Sequence, residues 1–112
     1  MICVLCQFDP PADPDLMKRY ITWFAGDGLR NVLGIEELDE LRVYKNYSET
    51  SPMVTAMLFF PDVRPALQAA QSPRWHNLLS NLTKWKCKDI TLTVLVPTDM
   101  IPDVINPQQI IE

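Results

Sequence analysis

The chain contains one histidine, His76, and so one imidazole able to take up a proton near neutral pH. It follows Ser72-Pro73, a hydroxyl cap ahead of a proline, and the spacing predicts a position in the first turn of a helix. There the positive helix end disfavours the imidazolium and keeps the ring in the neutral form that accepts protons. His76 falls at the border of an apolar stripe formed by Trp75, Leu79 and Leu82, so its ring faces either a cleft above a sheet or solvent. A second group, Arg42, Tyr44, Asn46 and Ser48, recurs at every second position and shares one face of an extended segment. If that face lines a cleft between sheet and helices, guanidinium, phenol and amide can hold a substrate oxygen as it becomes an enolate. The same alternation also describes a plain solvated strand face, and the sequence does not say which face meets the helices. Trp23, Phe24 and Trp75 are rings suited to walling a flat ligand, or to filling a core. A catalytic reading therefore makes His76 the base, with Arg42 and Tyr44 on the oxyanion and Asn46, Trp23, Trp75 and Phe24 holding the substrate.

Two other patterns carry less. Cys3-Val4-Leu5-Cys6 has the gap of a metal or redox motif, yet on a strand residues three apart point to opposite faces, so no metal site is expected. Gly26-Asp27-Gly28 lacks a third glycine and follows a helix, which removes a dinucleotide fingerprint. No cofactor is implied by either. With 10 Lys+Arg against 14 Asp+Glu, the formal charge of -4 provides no basic field for nucleic acid or an anionic membrane. No run approaches the roughly 18 apolar residues of a membrane span, and an odd number of cysteines without an export signal fits reduced thiols and the cytoplasm.

The elements that must position these groups follow from the pattern. Met1 to Phe8 reads as a strand buried on both faces and broken by Asp9-Pro10-Pro11. Asp13-Pro14 opens a helix whose apolar residues run from Leu16 to Phe24, with Gly26 and Gly28 predicted to stop it through positive φ. A loop with Asn31 and Gly34 leads to a strand over Leu41 to Ser48, and a turn at Glu49 to Pro52 leads to another, Met53 to Phe60. A helical region restarts at Ser72-Pro73 with Trp75, Leu78, Leu79 and Leu82 inward. The last strand, about Lys88 to Val96, alternates Ile90, Leu92, Val94 and Val96 with Asp89, Thr91 and Thr93. This order predicts an α+β fold, a ferredoxin-like βαββαβ sandwich over residues 1–97 with a four-stranded antiparallel sheet and helices on one face. The first and third strands are too apolar to leave the other face in water, so a second copy is expected to cover it. Residues 98–112 form an arm with Ile101, Val104, Ile105, Ile110 and Ile111, expected across the partner or its own sheet edge.

At that point the chain resembles the dimeric alpha/beta-barrel superfamily, over about Met1 to Val96. The most specific local feature is Gln71-Ser72-Pro73-Arg74-Trp75-His76-Asn77-Leu78-Leu79, similar to a Ser-Pro helix opening of many small members. Its branches include antibiotic-biosynthesis monooxygenases, EthD-like proteins, polyketide cyclases, haem proteins like chlorite dismutase, stress-responsive proteins, and RedY-like and HapK-like proteins of prodigiosin-type pigment pathways. The resemblance implies a homodimer of secondary metabolism that binds a hydrophobic or aromatic, polyketide-like molecule, as a cofactor-independent oxygenase, cyclase or rearrangement enzyme. The competing class is a non-catalytic dimeric binding or stress-responsive protein of the same fold. Haem would need an axial histidine, for which His76 is the sole candidate. An open cleft lined by His76 and Tyr44 would favour the enzyme, and one filled by Trp and Phe the binding protein.

Overall fold

In the computed structural model, which describes residues 1–109, the chain forms β1 (Ile2–Asp9), α1 (Pro14–Trp23), a π-helical turn (Phe24–Gly28), α2 (Leu29–Leu33), β2 (Glu40–Lys45), β3 (Val54–Phe60), α3 (Val63–Ala70), α4 (Pro73–Lys84) and β4 (Lys88–Leu95). A short 3₁₀ turn, Pro107–Gln109, follows in the arm. The strands form one antiparallel sheet in the order β2-β3-β1-β4, the arrangement expected of the split pattern. Both helix openings are built as the sequence implies. Asp13 accepts a hydrogen bond from the Leu16 N–H at 3.0 Å, and the Ser72 hydroxyl accepts one from the Trp75 N–H at 3.2 Å, each ahead of a proline in the first turn.

Register decides which residues face the helices. Ile2, Val4, Cys6 and Phe8 on β1 pair with Phe60, Leu58, Ala56 and Val54 on β3, and these form the buried side of the sheet. Against them pack Tyr20, Val32, Ala66, Ala69, Trp75, Leu78 and Leu82 from the helices. The opposite face carries Cys3, Leu5 and Gln7, their β3 partners Phe59, Met57 and Thr55, and Thr91, Thr93 and Leu95 from β4. Among the described residues no helix covers this side, and Leu5, Met57 and Phe59 are half-buried there. The arm returns over one end of it, where Ile101, Val104 and Ile105 border a cleft of about 730 Å³ together with Cys3, Arg42 and Phe59. Met1 and Asp103 are in contact at its edge, 3.0 Å from amino nitrogen to carboxylate. Ile110 and Ile111 of the expected arm lie outside the described residues.

One boundary differs from the sequence expectation. Gly26 and Gly28 do not end the helix, and neither glycine has a positive φ. The backbone continues through a π turn into α2, which takes in Asn31, and ends at Gly34. Gly28 serves close approach instead. A Cβ placed there would stand 3.0 Å from two carbons of the Trp23 indole, so the ring lies directly against the glycine backbone. The third element is also shorter than expected, because Asn46 already belongs to the turn after β2.

Candidate functional site

Two hollows lie on the helix side of the sheet and share one lining residue. The inner one is an enclosed cavity of about 20 Å³, walled by Phe8, Phe24, Leu41, Leu58, Trp75 and Leu82 among others. Apart from the Cys6 thiol and the Trp75 indole its lining is hydrocarbon. The outer one is a groove of about 350 Å³ between α1 and the β2-β3 edge, bordered by Pro10, Met17, Tyr20, Ile21, Ala25 and residues 43–45. Phe24 alone is common to both linings among the described residues. It is the first residue of the π turn, and its ring packs on Tyr20 at 5.7 Å and Trp23 at 6.1 Å between centroids.

The electrostatics of this region keep its polar groups neutral. Burial pushes the Cys6 thiol up to about 11, so it stays protonated near neutral pH. Burial also raises the Tyr20 phenol, with smaller contributions from the neighbouring Cys87 and Cys6. Tyr20 therefore stays protonated, its ring fixed edge-on against Phe8 with centroids 6.1 Å apart and bordering the groove. Lys45, the cation at the rim, is already paired with Glu49 at 3.1 Å.

The residues singled out from the sequence do not form one cluster, although the Arg42 and Tyr44 side chains meet each other. Phe24 and Trp75 meet in the inner cavity, whereas Trp23 faces a different groove on the outer side of α1. The pairing of Arg42 with Met57 and Tyr44 with Thr55 puts both on the helix-free face of β2, while Leu41 and Val43 turn inward; Tyr44 nonetheless borders the outer groove at the sheet edge, and Arg42 does not. Arg42 pairs with Glu40 at 3.0 Å and lies 5.8 Å from the centre of the Phe59 ring. Asn46 is occupied in the turn, donating to the Thr50 carbonyl and hydroxyl and accepting from the Ser48 N–H. His76 is exposed on α4 and borders none of these hollows. Tyr20 was missed as a polar group. Its signal was a phenol inside an otherwise hydrocarbon helix stripe, which sequence reasoning assigns to the core.

No family model matches the chain, and no curated protein matches it in sequence. Solved structures do match in fold. An ethyl tert-butyl ether D (EthD) family protein from Bacillus halodurans superposes with a TM-score of 0.68 at 13% identity, covering 88% of this chain and 99% of its own. HapK from Hahella chejuensis gives 0.67 at 6% identity over 93% and 99%. SnoaB, a cofactor-independent oxygenase from Streptomyces nogalater, gives 0.63 at 10% identity over 91% and 97%. At such identities the likeness is one of fold. The chain thus shares with these proteins the ferredoxin-like fold that the sequence predicted, a four-stranded antiparallel sheet with helices on one face.

Proposed function

We propose that the chain is a homodimeric protein that binds a flat, aromatic or polyketide-like small molecule of an antibiotic or prodigiosin-type pathway on the helix side of its sheet. The observation that carries this reading is the pair of apolar hollows that share Phe24 in their linings, from which we infer that its ring divides them. Rotation of that ring joins groove and cavity into one pocket floored by Trp75 and reached past Tyr20. Ligand binding, rather than proton transfer, is the activity this geometry supports best, because His76 and Arg42 border neither hollow and Tyr44 borders only the outer one. The helix-free face, with Leu5, Met57 and Phe59, supplies the surface for a second copy. Three unpaired thiols agree with a reducing, cytoplasmic setting, and among the described residues no helix is long and apolar enough to cross a membrane.

The test is a thermal-shift screen of flat polycyclic ketones against aliphatic ketones of similar size, on the parent and on Phe24→Trp. A ligand at 100 times its Kd adds about 2.7 kcal/mol of stability. Flat ketones should raise the parent's melting temperature by several degrees and lose most of that effect in Phe24→Trp, where the larger ring blocks the passage. Equal shifts in both proteins, or none from any flat ketone, would refute the pocket. A second reading takes up SnoaB's described activity and makes the chain a cofactor-independent oxygenase, cyclase or rearrangement enzyme with His76 as base. It requires His76 to reach bound substrate, and turnover by the His76→Ala variant decides it.

A further inference from the structure

On the far side of α1 from the pocket runs a shallow groove of about 660 Å³, bordered by Lys18, Arg19, Thr22, Trp23, Gly26, Asp27, Arg30 and Trp85. Its walls are unusual for this chain. The protein as a whole is acidic, with a formal charge of -4, yet three cations and one carboxylate border the groove. Asp27 is spent on Arg30 at 2.9 Å, which leaves Lys18 and Arg19 without a carboxylate partner among the described residues. A fourth cation, Lys84, stands 5.2 Å from the centre of the Trp85 ring. A locally positive rim on a negative molecule attracts anions from solution.

The aromatic walls add shape to that charge. Trp23 is seated by the π turn, its indole held against Gly28 at a separation that a side chain there would violate. A π turn inside an α-helix frequently marks a functional site. Trp85 closes the other side at the end of α4, and its Nε1–H is, among the described residues, the one buried side-chain polar atom with no hydrogen-bond partner. An orphan donor of this kind calls for an explanation, and an acceptor brought by a ligand supplies one after a small ring movement.

We propose that the Trp23-Trp85 groove is a second ligand site, for a planar aromatic carboxylate, with Lys18 and Arg19 holding the carboxylate and the two indoles receiving the ring. It is independent of the pocket beneath Phe24. Indole faces recognise flat rings, and unpaired surface cations recognise the charge; a ligand lacking either feature forfeits half of the recognition.

The probe is 1-naphthoate, titrated into the full chain at low salt while the three indole N–H resonances are followed by NMR. They are assigned with the Trp23→Phe, Trp75→Phe and Trp85→Phe variants. The expected result is saturable movement of the Trp23 and Trp85 signals with Trp75 unmoved. The neutral 1-naphthalenemethanol and the ring-free cyclohexanecarboxylate should each bind at least tenfold more weakly. Lys18→Gln with Arg19→Gln, both exposed and so without effect on melting, should weaken 1-naphthoate about tenfold, as should raising the salt to about 0.5 M. Absence of saturation at millimolar probe, equal binding of the alcohol, or an unaffected double variant overturns the proposal. Movement of Trp75 in place of Trp23 and Trp85 also overturns it, since that would put the probe in the inner cavity.

Discussion

Truncating Phe24 to alanine tests the pocket at its narrowest point. The ring contacts two others, Tyr20 at 5.7 Å and Trp23 at 6.1 Å, and each such pair contributes about 0.5–1.5 kcal/mol beyond its buried area. A fully buried Phe→Ala change costs about 3–5 kcal/mol, and Phe24 is only half-buried, with an open groove on one side. We expect a loss near the lower end, about 2–3 kcal/mol, or on the order of 10 °C in melting temperature for a domain of this size. The same change removes the partition between the 20 Å³ cavity and the 350 Å³ groove, so the variant should gain binding where it loses stability. Urea unfolding read by tryptophan fluorescence measures the first effect, and titration with the best flat ketone from the screen measures the second, with faster association than in the parent. Phe24→Leu, which keeps most of the volume, should recover much of the stability and little of the association rate. If Phe24→Ala unfolds within about 0.5 kcal/mol of the parent, or binds no faster, the ring is not the partition and the argument from shared lining fails.

His76→Ala should leave melting within about 1 °C and ligand affinity unchanged, because the ring is exposed; if a turnover is found, a 10²- to 10⁴-fold loss would restore His76 as a base. With Cys6 and Cys87 both pushed up to about 11 by burial, only about one thiol in 10⁴ is ionised at pH 7, so neither should react with a disulfide reagent before unfolding; prompt labelling of either in the native protein contradicts this. Asp9 is held below the usual carboxylate range by the Ser51 hydroxyl and then by the Met53 N–H, so its contribution is present above about pH 4 and lost as the pH falls through its lowered value. The melting difference between the parent and Asp9→Ala should accordingly shrink from pH 6 to pH 2, and a constant difference would show that the carboxylate's charge is irrelevant. Deleting residues 98–112 should expose Cys3 and Phe59, and sedimentation should show weaker self-association than in the full chain; unchanged assembly would place the arm outside the interface.

Much of the scaffold was legible because local chemistry and long-range need agree there. Asp13-Pro14 and Ser72-Pro73 announce helix openings whatever the rest of the chain does, and the β4 alternation of Ile90 and Val94 with Thr91 and Thr93 survives in the structure. The site was less legible for a reason of geometry. Which face of β2 meets the helices depends on its register against β3, a contact between distant segments that alternation alone leaves undetermined; the pairing of Leu41 with Leu58 turned Arg42 and Tyr44 outward. Asn46 looked like a ligand donor because its amide was counted before its turn was known. The glycines misled in the opposite sense. Their freedom of φ suggested a stop, whereas Gly28 is needed for an indole that only three-dimensional packing reveals.

The π turn has a consequence for helix phase. Tyr20 and Val32, both buried against the sheet, are twelve residues apart. At about 100° per residue, an uninterrupted α-helix would set them about 120° apart around its axis. Eleven steps would bring them within about 20°, so the turn absorbs one residue and restores the alignment. A chain shortened by one residue between Ala25 and Asp27 would therefore form a regular helix with both side chains still facing inward. Such a deletion variant should keep the sheet covered and fold, while displacing Trp23 and Arg30 relative to each other. Packing of the core thus has no need of the extra residue, and the outer rim of the helix is where its presence is felt.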